Sequence, residues 1–178
     1  MIVNKMFKEE DGFTFVEIIA VLIVMGVLAV VAVSRSFNYN AEVYSGADTL
    51  KMHLRYAQTL AMNSNPTSTG VPVIWGMSSG SASYWLFRGT NPAANYFRLP
   101  EDDKYVNSDR TINLTAKKIQ LTNFITIYFD NRGIPYTAYT DTTNNTPLAG
   151  NSTITVSPLS GGTTTVGVTI TPLTGYIP

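Results

Sequence analysis

The residue with the clearest capacity for chemistry is Glu17, a carboxylate near the start of a long apolar stretch. Residues 18–33, which follow it, contain no polar or charged side chain. An ionised carboxylate that faces hydrocarbon costs about 2.5–3.5 kcal/mol or more, so Glu17 needs a partner that neutralises it. Thr14 adds a hydroxyl three residues earlier, but the sequence places no base beside it that would activate it as a nucleophile.

The other candidate sites favour structural roles. Asp130, Asn131 and Gly133 could form a cation-binding loop, but such runs more often form a hairpin turn in which Asx side chains bond the local backbone. The acidic run 101–103 could hold Ca²⁺, which prefers oxygen ligands, yet a solvated loop is favoured. His53 is the single histidine, has no second ligand of its kind, and is expected to be a partly exposed helix residue. We therefore predict no metal site.

Composition and charge narrow the classes of function. The 178 residues carry 12 basic and 12 acidic side chains, so the net charge of zero gives no general attraction for nucleic acid. Lys117 and Lys118 are expected at a strand edge or solvated turn, and no Lys or Arg follows Arg132, so DNA binding is not expected. Cys is absent, which excludes disulfides and thiol chemistry. Because no Ser-His-Asp set or P-loop can be argued, we expect no enzymatic activity and no cofactor.

One long helix is predicted over residues 13–64. At 1.5 Å per residue, the apolar part 13–33 reaches roughly 30 Å, which is about the thickness of a bilayer core. The sequence then becomes polar, but a helical apolar stripe continues, and it is expected to pack against a sheet. Pro66 ends the helix, because the residue before Pro avoids the α conformation. The members of the stripe are Val43, Ala47, Leu50, Leu54, Ala57 and Ala61.

The remainder of the chain, residues 65–178, is predicted to be a globular head of short strands between turn signals. Residues 137–150 lack apolar periodicity and are expected to be an exposed loop, and residues 160–162 are expected to form a tight hairpin. The predicted class is α+β, a long N-terminal helix packed on an antiparallel β-rich head. The predicted strands are 71–75, 83–88, 96–99, 111–114, 118–121, 124–129, 152–158 and 163–170.

Residues 12–17, Gly-Phe-Thr-Phe-Val-Glu, together with the apolar run, resemble the prepilin motif of type IV pilins and type II secretion pseudopilins. The resemblance implies that residues 1–12 are a leader, which a prepilin peptidase removes by cutting between Gly12 and Phe13. It further implies N-methylation of Phe13. Thr14 belongs to the same motif, and Glu17 becomes the fifth mature residue, which helps to recruit subunits into a helical filament. The Phe13 amine of a neighbouring subunit would be the partner that Glu17 needs.

Parts of the head extend the resemblance. Residues 54–65 resemble the end of the helix in minor pseudopilins called H and minor pilins called T. Residues 127–133 resemble their strand-turn segment, and residues 168–176 resemble their closing strand and glycine-containing tail. The likeness therefore spans nearly the whole mature chain, with the most specific part at its N-terminus.

The resemblance implies a structural function, namely a subunit of a type IV pilus or of a type II secretion pseudopilus. Its expected partners are other subunits, the prepilin peptidase, an inner-membrane assembly platform and the lipid bilayer. The expected location is the inner membrane before assembly, with the head outside the cytoplasm, and then a periplasmic pseudopilus or a surface pilus. The alternative is a minor tip pilin that binds DNA or a surface. The sequence does not decide between a major and a minor subunit, or between a pilus and a type II secretion system.

Overall fold

The computed structural model describes residues 14–64 and 73–178, without the side chains of residues 34–40. Helix α1 spans Phe15–Met62 and is followed by a turn at Asn63 and Ser64, within two residues of the predicted end. Pro66, the predicted cause of that end, lies outside the described residues. Within α1 the chain divides into two compact units, Met1–Phe37 and Asn38–Pro178.

In the second unit, the predicted stripe of α1 forms one side of the hydrophobic core. All six of its residues, from Val43 to Ala61, are at most 1% exposed, which confirms the prediction. Gly46 lies beside this stripe, and a Cβ atom placed on it would come within 2.5 Å of Ile119 Cδ1. The missing side chain at Gly46 therefore lets the helix approach the strand that carries Ile119 closely.

The described strands form two antiparallel sheets, which confirms the predicted α+β class. In the larger sheet the order is β3-β2-β1-β6-β7-β8, with β4 also paired to β2, and in the smaller sheet the order is β10-β9-β5. The bounds are β1 Trp75–Ser79, β2 Ser83–Arg88, β3 Tyr96–Phe97, β4 Ile112–Asn113, β5 Ile119–Thr122, β6 Ile127–Phe129, β7 Pro135–Tyr139, β8 Asn145–Pro147, β9 Ser152–Pro158 and β10 Val166–Ile170.

Several of the predicted boundaries are wrong, and β6, for example, begins at Ile127 instead of residue 124. The first strand was expected to end at residue 75, but β1 covers Trp75–Ser79, because it pairs with both β2 and β6 beyond the expected turn. Residues 71 and 72 of that prediction lie outside the described residues. The expected exposed loop 137–150 contains part of β7 and all of β8, which pair with an irregular register. The expected tight hairpin at 160–162 is a longer connection, since the pairing of β9 with β10 stops at Val156 and Val166.

A second cluster of buried side chains forms around a row of aromatic residues in the larger sheet. Tyr96, Phe87, Gly76, Tyr128 and Tyr136 are directly paired across five neighbouring strands. Gly76 provides the gap in this row, because a Cβ atom there would lie 2.4 Å from the ring of Phe87. The rings of Phe87 and Tyr128 pack edge to face, with centroids 5.3 Å apart.

Candidate functional site

The first part of α1 is a continuous exposed apolar surface. Phe15–Val33 is long and apolar enough to cross a membrane, and none of it is buried inside the protein. Every residue from Thr14 to Val33 is exposed, including large side chains such as Leu22, Ile23 and Leu28. A soluble protein rarely exposes a continuous apolar surface of this size.

Thr14 and Glu17 lie at the N-terminus of this helix and contact each other. The backbone N–H of Glu17 donates to Thr14 Oγ1 at 3.3 Å, and the backbone N–H of Thr14 donates to Glu17 Oε2 at 3.4 Å. This reciprocal pattern is a capping box, which satisfies two backbone donors that a helix start leaves free. Sequence reasoning missed this role, although a Thr followed three residues later by Glu before an apolar run is its sequence signal.

The described structure thus places two of the four predicted site residues side by side. Gly12 and Phe13, the predicted cleavage and methylation positions, lie outside the described residues. The Thr14–Glu17 contacts are long for hydrogen bonds and are exposed, so they leave the carboxylate open to a further partner. Glu17 can therefore cap its own helix and still meet a cation from another molecule.

His53 is fully buried, so the expectation of a partly exposed helix residue is wrong. Its Nδ1 lies 2.9 Å from the hydroxyl of Tyr84, and its Nε2 lies 3.4 Å from the carbonyl oxygen of Pro100. Burial lowers the pKa of His53 from its ordinary value of 6.5 and raises the pKa of Tyr84. The cause of the wrong expectation is tertiary, since both partners come from segments remote in sequence.

The acidic run 101–103 is only partly the solvated loop that was expected. Asp102 and Asp103 are exposed, but Glu101 is not. Glu101 Oε2 lies 2.6 Å from Lys117 Nζ, with side chains 11% and 9% exposed, and the ammonium also lies 4.3 Å from the ring centre of Tyr105. Lys117 lies in the turn before β5, as predicted, but it is part of a nearly buried ion pair and is not solvated.

The run at Asp130 forms the expected turn. Asp130 Oδ1 accepts from the backbone N–H groups of Arg132 and Ile134, at 2.9 and 3.0 Å. Gly133 has a φ of +78°, a conformation that glycine adopts without steric cost. The other carboxylate oxygen, Oδ2, accepts from the guanidinium of Arg132 and from the hydroxyl of Tyr136. These contacts use the carboxylate to join β6 to β7.

Several cations of the head lie close to carboxylates, which reduces the positive charge that phosphates could meet. The pairs are Arg98 with Asp103, Lys104 with Asp102, Lys117 with Glu101, Lys118 with Glu42, and Arg132 with Asp130. Within residues 14–64 and 73–178, no group of three or more His, Asp or Glu side chains is arranged to hold a metal ion.

Searches of protein-family models, curated proteins and solved structures find no match to this chain. The resemblance to type IV pilins and pseudopilins therefore stays an expectation from the sequence.

Proposed function

We propose that this protein is the precursor of a structural subunit of a type IV pilus or type II secretion pseudopilus. Cleavage between Gly12 and Phe13 removes the leader, and Phe13 is N-methylated. The subunit is held in the inner membrane by Phe15–Val33, with its head outside the cytoplasm. A membrane assembly platform then moves it into a helical filament. The proposal involves no catalytic step, no cofactor and no nucleic acid.

The observation that carries this proposal is the exposed apolar segment with one carboxylate at its start. Phe15–Val33 buries none of its surface within its own chain. Lipid can cover such a helix before assembly, and the same segments of neighbouring subunits can cover it afterwards, because both environments are apolar. One segment can thus serve first as an anchor and later as the core of a filament.

Glu17 gives the filament its register. Inside a bundle of apolar helices an unpaired carboxylate is strongly unfavourable, whereas a carboxylate paired with the amine of Phe13 on a neighbouring subunit is tolerated. Neighbouring helices are consequently stable at the axial offset that brings the two groups together. The contacts of Glu17 with Thr14 are compatible with this role, since they are exposed and long.

The test uses Glu17→Gln, because a glutamine keeps the capping box and removes the charge. We expect the variant to be cleaved and inserted in the membrane at normal levels, but to be at least about tenfold scarcer in sheared filaments. The matched control is Thr14→Ser, which keeps the hydroxyl that caps the helix and should assemble normally. If Glu17→Gln forms filaments at wild-type abundance, the carboxylate acts only in helix capping and the register role is wrong.

Processing is tested separately by intact mass. We expect the wild-type protein from sheared filaments to begin at a methylated Phe13, and we expect Gly12→Leu to leave an uncleaved precursor in the membrane. The molar share of the protein in the filaments distinguishes a dominant structural subunit from the alternative, a rare tip protein that binds DNA or a surface. If the wild-type chain stays uncleaved in the membrane, the proposed function is wrong.

A further inference from the structure

Three adjoining cavities lie beside β3, the strand at one edge of the larger sheet. The central cavity has a volume of about 230 Å³, and its lining includes Asn95, Tyr96, Ser108, Asp109 and Arg110. It shares Ser108 and Arg110 with a cavity of about 580 Å³. It also shares Asn95 with a cavity of about 380 Å³. We call the three cavities together the β3 groove, and because they share walls they suit an elongated ligand.

Hydrogen bonds hold the walls of the central cavity in place. Asp109 Oδ1 accepts from the backbone N–H and the hydroxyl of Thr111, at 3.1 and 2.7 Å. The side-chain amide of Asn107 donates to the same hydroxyl at 2.9 Å. The guanidinium of Arg110 donates to the carbonyl oxygen of Tyr96 at 3.0 Å, which ties the loop to β3. The groups that line the cavity are therefore fixed before a ligand arrives, and this lowers the entropic cost of binding.

Backbone strain occurs at the same place. Among the described residues, five that are not glycine have a positive φ, and two of these, Asn95 at +56° and Arg110 at +71°, line the central cavity. A positive φ is unfavourable for most residues with a Cβ atom, and residues in this conformation cluster at ligand sites. Arginine does not favour this conformation, so the position of the Arg110 guanidinium is maintained at an energetic cost.

The polar atoms of the central cavity match the hydroxyl groups of a sugar. Both bonds from Thr111 go to Oδ1 of Asp109, so Oδ2 remains as an acceptor beside the guanidinium of Arg110. A guanidinium has five N–H donors, and the bond to Tyr96 uses one of them. A hydroxyl group both donates and accepts, so two neighbouring sugar hydroxyls fit a carboxylate beside a guanidinium. The half-buried ring of Tyr96 adds an apolar surface for the C–H groups of a sugar ring.

The charges of the β3 groove favour a neutral ligand over a polyanion. Hydrogen bonds from the hydroxyl and the backbone N–H of Thr111 lower the pKa of Asp109, so its carboxylate is ionised at neutral pH. In the neighbouring cavity, Arg98 is paired with Asp103. A carboxylate beside each of these two arginines reduces the attraction for a chain of phosphates. The same carboxylates accept hydrogen bonds from hydroxyl groups, which a neutral sugar supplies.

We propose that the β3 groove binds a neutral polysaccharide, with Asp109 and Arg110 holding one sugar unit through its hydroxyl groups. The two neighbouring cavities hold the units before and after it. One of these cavities is lined in part by Arg98, and the other is lined in part by Arg88 and Phe97. The groove belongs to the head, so this binding goes beyond the proposed structural function and does not depend on filament assembly.

The test measures binding of the full chain, in a detergent without a sugar headgroup, to an array of neutral oligosaccharides of glucose, galactose, mannose or N-acetylglucosamine. We expect the wild type to bind at least one of them, and Arg110→Gly to bind it at least about tenfold more weakly, because a charged donor is lost. Glycine adopts a positive φ without strain, so this variant removes the guanidinium and keeps the backbone conformation. The matched control is Asn123→Gly, which makes the same change at a φ of +59° outside the groove and should bind like the wild type.

Asp109→Asn is a second variant, whose amide oxygen still accepts from Thr111 but whose other atom donates where Oδ2 accepted. It should also bind at least about tenfold more weakly, with a Tm like that of the wild type. The proposal is wrong if the wild type binds none of the oligosaccharides, a result that does not require any variant to fold. It is also wrong if both variants bind as tightly as the wild type, or if the groove binds duplex DNA and no oligosaccharide.

Discussion

Replacement of Asp130 by alanine gives the sharpest test of how the β6–β7 hairpin is held. The carboxylate is 3% exposed and is the acceptor for two backbone N–H groups, those of Arg132 and Ile134. It also accepts from the hydroxyl of Tyr136 at 3.1 Å. In Asp130→Ala these donors lose their acceptor inside the turn.

The magnitude follows from the number of donors left without an acceptor. Each buried donor costs about 1–3 kcal/mol. Arg132 is 67% exposed, so its ion pair with Asp130 is screened by solvent and adds little. Taking the two backbone donors and the Tyr136 hydroxyl at the lower end of the range gives a loss of about 3 kcal/mol. For a chain of this length, that loss lowers the Tm by roughly 10 °C.

The matched control is Asp141→Ala, which removes a similar turn at the surface. Asp141 accepts from the backbone N–H groups of Thr143 and Asn144, at 2.8 and 2.7 Å, but its carboxylate is fully exposed. Water replaces the lost acceptor there, so a much smaller change in Tm is expected. The assay is thermal unfolding of the full chain in detergent, followed by the near-UV circular dichroism of Trp75 and Trp85. If Asp130→Ala and Asp141→Ala lowered the Tm equally, burial of the Asp130 carboxylate would not explain its contribution to stability.

Two further predictions concern packing and charge in the head, and both use the same unfolding assay. Gly76→Ala should lower the free energy of unfolding by about 2 kcal/mol, because the new Cβ would lie 2.5 Å from the backbone oxygen of Ile127. The control is Gly150→Ala, whose Cβ meets open space and should change the free energy of unfolding little. Lys117→Met should lower the free energy of unfolding by about 3 kcal/mol, because it leaves the carboxylate of Glu101 unpaired. The double variant Lys117→Met/Glu101→Gln should recover part of that free energy, because it also removes the carboxylate's charge. A double variant that is less stable than Lys117→Met would contradict the ion-pair argument.

The helix was predictable because its signals are local. A stripe with helical period assigned Val43, Ala47 and Leu54 to the core, and all three are buried there. The capping box of Thr14 and Glu17 was not predicted, although its signal is also local, since its two residues are three apart in the chain. In each case a few turns of one element contain the whole pattern.

The strand pairs were less predictable, because their partners are supplied by other parts of the chain. Residues 137–150 contain no alternation of apolar and polar residues, yet Tyr136 pairs with Pro147 and Tyr139 with Asn145. The sheet that accepts β7 and β8 therefore compensates for a weak local pattern. For the same reason β1 extends to Ser79, where it pairs with Tyr84 of β2.

The sequence by itself determined the apolar segment that follows Glu17, because the segment's character depends only on the composition of consecutive residues and not on contacts with remote parts of the chain. It also determined the buried face of α1. Only the tertiary structure decided which polar groups lie inside the head. His53 is buried by Tyr84 and Pro100, which are 31 and 47 residues away, and Lys117 is buried beside Glu101. Burial of a polar group depends on what covers it, and here remote segments of the chain do so.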